Sequence, residues 1–310
     1  MIVRPTHHWF RMLFVWNGSV LRSILPQLAL MTLVSVLAVA THGRVFGEKI
    51  PLDVAPFALC GVALSIFLAF RNNVSFDRYW EARRIWGHVL NATRTLASQA
   101  LCYLPADAAQ DGTSSGRIEF VNGVIAFVYA LKHQLRGTDP TDDLSRYLGA
   151  EPARRLAPLH FRPIAILNDL RQKLAELERR GAISGTQLWM FDAQLNELAT
   201  TVGGCERIAS TPIPYAYGVM LHRTVYLYCV LLPFGLVDSI GVATPIIAVF
   251  MSYTLIALEA IASEIAEPFG TAPHHLALDA MTRNIERSLL ELCGKDVPAE
   301  AAPGPGYLLT

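Results

Sequence analysis

The chain has 310 residues with 26 basic and 26 acidic side chains, so its zero formal net charge and lack of any Lys/Arg run exclude a nucleic-acid footprint. With 52% hydrophobic and 17% charged residues, it is too apolar for an ordinary soluble domain and too interrupted by charge for a bare bundle of spans. A membrane part and a water-facing part are expected.

Residues 1–23 mix Trp9, Phe10, Phe14 and Trp16 with Arg4, Arg11 and Arg22, a composition suited to the cytoplasmic membrane–water interface. The apolar run Ile24–Thr41 follows and reads as a first span, with Pro26 in its first turn, where a missing N–H is harmless. Ala38-Val39-Ala40 resembles a signal-peptide cleavage site, but the preceding region is too long and aromatic for one. His42–Asp53 is a short loop of mixed charge, whereas Arg71, Arg78, Arg83, Arg84 and Arg94 follow the next apolar run, Val54–Phe70. The positive-inside rule puts both ends of this hairpin in the cytoplasm.

Val54–Phe70 enters the polar triplet Arg71-Asn72-Asn73 with no Pro or Gly at the junction, so one helix is expected to leave the membrane and continue into water to about Leu104. Its length would be roughly 70 Å or more at about 1.5 Å per residue. Within it Val62, Ile66 and Phe70 recur every fourth residue, and each such step rotates only about 40° around a helix. Gly61, Ala63, Ser65 and Ala69 are small enough to let neighbouring helices approach closely. Two readings follow from this spacing. The apolar face packs on another helix, or several copies around an axis make it a constriction that controls ions by wetting and dewetting.

Pro105 and the Ala/Asp/Gly/Ser-rich segment 106–116 end the long helix. Phe120–Leu131 is apolar but too short to span, so it is expected to be a buried core helix. Ile164–Arg180 and Thr186–Ala209 carry apolar residues at spacings of three and four and read as amphipathic helices, with Gly203-Gly204 interrupting the second for close packing. The third and fourth apolar runs, Tyr215–Val237 and Ile240–Ala262, form a second hairpin. His222 and Arg223 lie two turns inside the third and should face protein or headgroups. The tail Pro298–Thr310, rich in Ala, Pro and Gly, is expected to be disordered or loosely attached.

Catalysis finds little support. Asp77, Arg78, Glu81 and Arg84 sit at spacings that suit intrahelical ion pairs. His7-His8 and His274-His275 are adjacent pairs whose side chains diverge by about 100° on a helix, and no nucleophile–base arrangement can be defended. The scattered cysteines, Cys60, Cys102, Cys205, Cys229 and Cys293, have no CxxC and read as small buried hydrophobes. The chain is not expected to be an enzyme.

Arg71-Asn72-Asn73 with Ser75, Arg78, Glu81-Ala82-Arg83 and Trp86-Gly87, followed by GGCER (203–207), TPIPYAY (211–217), HRTVYLY (222–228) and EPFG (267–270), resembles the bestrophin family, particularly its bacterial branch. The resemblance runs from about Arg4 to Leu292. It implies an all-α integral membrane protein with four transmembrane helices and a helical cytosolic region, assembled as a homopentamer around a central pore. The segments are then 1–104 (interfacial segment, first hairpin and extended pore-lining helix), 105–211 (cytosolic helices), 212–265 (second hairpin), 266–297 (C-terminal helix) and 298–310 (tail).

The resemblance places the pore neck at Val62, Ile66 and Phe70, and a second constriction at the cytosolic exit on Thr186, with Ile183 nearby. In animal members an acidic run after the fourth span clasps calcium. Its side-chain positions match Glu264, Glu267, Ala272 and His275 here, and residues near Met1–Pro5 could add a backbone carbonyl. Only the two carboxylates suit a hard cation, so weak Ca²⁺ binding is the one cofactor expectation. The implied activity is passive conduction of small monovalent ions, chloride and other anions in animal members and cations also in the bacterial branch. The implied setting is the inner (plasma) membrane with both termini cytoplasmic, and the partners are lipid, permeant ions and further copies of the chain. The alternative is a non-conducting scaffold or sensor that binds a partner through its cytosolic helices.

Overall fold

The computed structural model describes residues 1–310 apart from 4–8, 13, 17, 46–47, 50–51, 53 and 106–115. Its helices are α1 (Trp9–Met12), α2 (Leu21–Ala40), α3 (Val54–Tyr103), α4 (Gly116–Arg136), α5 (Thr141–Leu148), α6 (Ala150–Leu156), α7 (Arg162–Arg179), α8 (Gly185–Ser210), α9 (Tyr215–Ile240), α10 (Thr244–Ile265) and α11 (Leu278–Leu292). A two-residue antiparallel pair, Arg44–Val45 with Glu48–Lys49, follows α2. The chain divides into two compact units, Pro5–Tyr79 with Pro212–Pro268 and Met1–Arg4 with Trp80–Thr211 and Phe269–Thr310. The long helix α3 contributes its first part to one and its remainder to the other.

Among the described residues three apolar helical stretches are long enough to cross a membrane, Leu21–Ala40, Ala55–Tyr103 and Tyr215–Ile265. The last folds back on itself at Gly241, whose φ of +56° is a conformation that glycine adopts without a Cβ clash. This makes α9 and α10 an antiparallel pair, and α2 packs on both. Their common core joins Ile24, Leu28 and Met31 of α2, Leu64 and Leu68 of α3, Leu221, Val225 and Cys229 of α9, and Leu255 and Ile256 of α10. Because α2 begins at Leu21, earlier than expected, Pro26 lies in its second turn and not its first. Large apolar side chains such as Leu33, Leu37, Ile246 and Phe250 remain exposed, as a surface facing lipid or another subunit requires.

The second unit is built around α4, in which almost every residue from Phe120 to Lys132 is buried. Helices α5, α7, α8 and α11 pack around it, so an apolar segment too short to span serves as a core helix. Helix α8 starts with a reciprocal cap between Ser184 and Gln187. It then runs unbroken through Gly203-Gly204, and a Cβ on Gly204 would lie 2.8 Å from Ile85 Cδ1. Gly204 therefore permits close packing, and neither glycine interrupts the helix. On α11, Glu286 is buried and accepts hydrogen bonds from Tyr129, Tyr147 and Arg283; burial first, and then the Glu286 carboxylate, push both phenols well above their ordinary range.

The tail corrects an expectation. Segment 298–310 is docked: Ile2 pairs with Leu308 as an antiparallel bridge, the Val3 N–H donates to the Tyr307 carbonyl at 3.0 Å, and the Leu309 N–H donates to the Met1 carbonyl at 2.8 Å. The Ala280 N–H adds a bond to the Thr310 carbonyl at 2.9 Å. Backbone groups form this attachment, so a composition poor in large side chains does not prevent it.

Candidate functional site

The first part of α3 sorts its residues by face. Val62, Ile66 and Phe70 are 58%, 51% and 61% exposed, while Leu64 and Leu68 on the opposite side are 2% and 1% exposed and belong to the core. The predicted apolar stripe is therefore left largely uncovered by the described residues. Beside it α9 comes very close: a Cβ on Gly61 would lie 2.6 Å from the Tyr228 hydroxyl, and the Tyr228 ring lies 5.3 Å from that of Phe57. The small residues leave a shallow apolar groove of about 510 Å³ next to Val62 and Ile66, closed on its far side by Tyr228, Met251 and Leu255.

Immediately past the stripe, polar side chains turn back into the protein. Arg71 is buried, and its Nη1 donates to Glu259 Oε1 of α10 at 2.9 Å. His222 Nδ1 of α9 lies 3.6 Å from the same carboxylate oxygen, and its ring sits 4.3 Å from that of Tyr226. Asn72 donates to the Leu68 carbonyl at 2.8 Å, Arg78 Nε to the Ala266 carbonyl at 2.6 Å, and the Tyr217 hydroxyl to the Phe67 carbonyl at 3.2 Å. The end of the stripe is thus bound to α9, to α10 and to the turn after α10. Sequence reasoning placed His222 toward protein or headgroups but did not single out Glu259. The available signal was that Glu259 is the one acidic residue inside the apolar run Ile240–Ala262, and an ionisable group at such a depth calls for a named partner.

Of the residues expected to pair within the helix, Glu81 pairs instead with Arg207 of α8. Of the two residues considered for a second constriction, Ile183 is 4% exposed and part of the core, so its side chain cannot line a passage; Thr186, on the first turn of α8, is exposed. Among the positions that match the calcium clasp, Glu264 is half-buried in the last turn of α10 and Glu267 is exposed just beyond it. Ala272 offers no side-chain ligand, and His275 is buried with its Nδ1 accepting the Ala272 N–H at 3.3 Å. A Cβ on Gly270 would lie 2.4 Å from that same nitrogen, so the EPFG turn and His275 pack on each other. The Met1 carbonyl is engaged by the tail, and Arg4, Pro5 and the His7-His8 pair fall outside the described residues.

Comparison with known proteins agrees with this helix organisation. The family model described as "Bacterial/Fungal Bestrophin protein" matches residues 1–291. The voltage-dependent anion channel-forming protein RSc3414 of Ralstonia nicotianae is 46% identical over the full length of both chains. The voltage-dependent anion channel-forming protein YneE of Escherichia coli K12 is 40% identical, again over the full length of both. The crystal structure of a bacterial bestrophin homolog from Klebsiella pneumoniae is 41% identical and superposes with a TM-score of 0.82, covering 88% of this chain and 99% of that one. The chain is therefore a membrane protein of the bestrophin family, in its bacterial and fungal branch.

Proposed function

We propose that the chain is one subunit of a homopentameric channel that passes small monovalent ions, anions among them, down their gradient across the inner (plasma) membrane. The observation that carries this is the exposed apolar face of Val62, Ile66 and Phe70 on a helix of apolar, membrane-crossing composition. Five copies around an axis bring these side chains together into an apolar neck, where an ion must shed part of its hydration and passage depends on wetting. The groove beside Gly61 gives a neighbouring helix room to close the ring. The names of the relatives, anion channel-forming proteins, support the class of permeant ion.

In this reading α2, α3, α9 and α10 are four spans, with the termini and the polar unit on the cytoplasmic side, as the arginines after Phe70 favour. Thr186 takes the second constriction. A ring of threonines is small and easily wetted, so the neck is the principal barrier.

Ion flux into liposomes carrying the purified protein tests the proposal. Replacing Ile66 or Phe70 by Ala should raise flux severalfold while mass measurement in mild detergent still finds five subunits. Unchanged flux in both variants, or a stable monomer that conducts, would overturn the central neck. No flux from any form would leave a scaffold that binds its partner through the polar unit.

A further inference from the structure

The stripe on α3 does not stop at Phe70. At about 3.6 residues per turn, Asn73 and Asp77 fall within about 20° of Ile66 around the helix, and both side chains are exposed, as are those of Val62, Ile66 and Phe70. Asp77 stands about 10 Å beyond Phe70, at about 1.5 Å per residue. It is the first formal charge on this face.

The neighbouring cations are withdrawn from it. Arg71 is buried against Glu259, and Arg78, half-buried, directs its Nε to the Ala266 carbonyl. Asp77 takes part in none of the ion pairs among the described residues. The carboxylate is therefore neither neutralised nor turned inward.

We propose that Asp77 sets the charge preference of the pathway. The proposal rests on the pentameric neck described above: five copies place a ring of carboxylates at the first charged level past an apolar constriction that cannot itself distinguish the sign of an ion. Such a ring concentrates cations locally and opposes anions, so it holds down the anion share of the current. Glu81, one turn further and about 40° round the helix, is paired with Arg207, and the next charge in phase with Asp77 is Arg84, seven residues beyond it. That is roughly another 10 Å, about one screening length at about 0.1 M salt, so the two charges act as separate levels.

The test is the reversal potential of the full-length protein in liposomes under asymmetric sodium chloride. Asp77→Asn should move it toward the chloride equilibrium potential, a severalfold rise in chloride-to-sodium permeability, and Asp77→Lys should move it further. Asp77→Glu should keep the original value, because the charge is retained at the same level. The Asn effect should shrink between about 0.1 M and about 1 M salt, as the screening length falls from roughly 10 Å to roughly 3 Å.

A conducting Asn variant with the original reversal potential would overturn the proposal and leave the channel reading intact. An equal shift in the Glu variant would mark a structural disturbance and overturn it as well. If the unmodified protein passes no ions, the channel reading fails first and takes this one with it.

Discussion

Arg71 Nη1 lies 2.9 Å from Glu259 Oε1, with only 9% and 11% of the two side chains exposed, so the residue that follows Phe70 is tied to α10 through a buried ion pair. Two charges withdrawn from water in this way attract each other strongly but lose their hydration, and the pair as a whole contributes little net stability. Removing one partner is different, because it strands the other. Glu259→Gln is expected to destabilise the first unit by about 3–5 kcal/mol, and Arg71→Met with Glu259→Met together should recover most of that loss. Thermal unfolding in detergent measures both, and a double variant as unstable as the sum of the singles would show that the two residues act independently. His222 is about half exposed and 3.6 Å from the same oxygen, so His222→Ala should cost no more than about 1 kcal/mol.

Gly61 makes a second prediction of the same unit. A Cβ there would meet the Tyr228 hydroxyl at 2.6 Å and the ring carbon that carries it at 3.3 Å. Gly61→Ala should therefore displace Tyr228 and lower stability by about 1–3 kcal/mol, the usual range for overpacking. Tyr228→Phe removes the nearer atom, so the double variant should melt close to the Tyr228→Phe single variant. If it melts no higher than Gly61→Ala alone, the hydroxyl is not the obstacle.

The helices were legible because burial leaves a periodic trace. The stripe at Val62, Ile66 and Phe70 and the continuous apolar surface of α4 follow from spacing and length, which act within a few turns. The Arg71–Glu259 pair joins residues 188 apart in sequence, and nothing near either one encodes the distance. Ile183 came into view because the resemblance puts a constriction on its loop, yet its apolar side chain is buried. The tail escaped notice for the opposite reason. Its attachment to Met1–Val3 is made by backbone groups, which any sequence supplies.

Asp279 should give the polar unit a pH dependence. It sits in the first turn of α11, where the helix dipole favours an anion, with Lys132 Nζ at 3.2 Å and Arg136 as its other partner. Burial by itself raises its carboxyl, but Arg136 and Lys132 together outweigh that and hold it below the usual carboxylate range. A group depressed in the folded state contributes its full stability above the unfolded value, about 3.9, and loses it as pH falls through the folded value. With the side chain 41% exposed, the contribution is discounted to the order of 1 kcal/mol. The melting difference between the parent and Asp279→Asn should be constant above about pH 5 and close as the medium is acidified below about pH 4. A difference that persists unchanged into acid would assign the effect to packing.

Calcium sensitivity can be judged from the groups at the end of α10. Glu264 and Glu267 supply two carboxylates, whereas Ala272 supplies none and His275 is buried with its Nδ1 engaged by the Ala272 N–H. The Met1 carbonyl accepts the Leu309 N–H at 2.8 Å. Calcium prefers six to eight oxygens, and a site that offers two carboxylates belongs at the weak end of the range, with a dissociation constant on the order of 10⁻⁴–10⁻³ M. Flux through the protein in liposomes should therefore be the same with a chelator as with micromolar free calcium, and titration calorimetry should find no binding in that range. A severalfold, reversible activation by micromolar calcium that disappears in the Glu264→Ala, Glu267→Ala double variant would show instead that backbone carbonyls complete the cage and that the two carboxylates anchor a tight site.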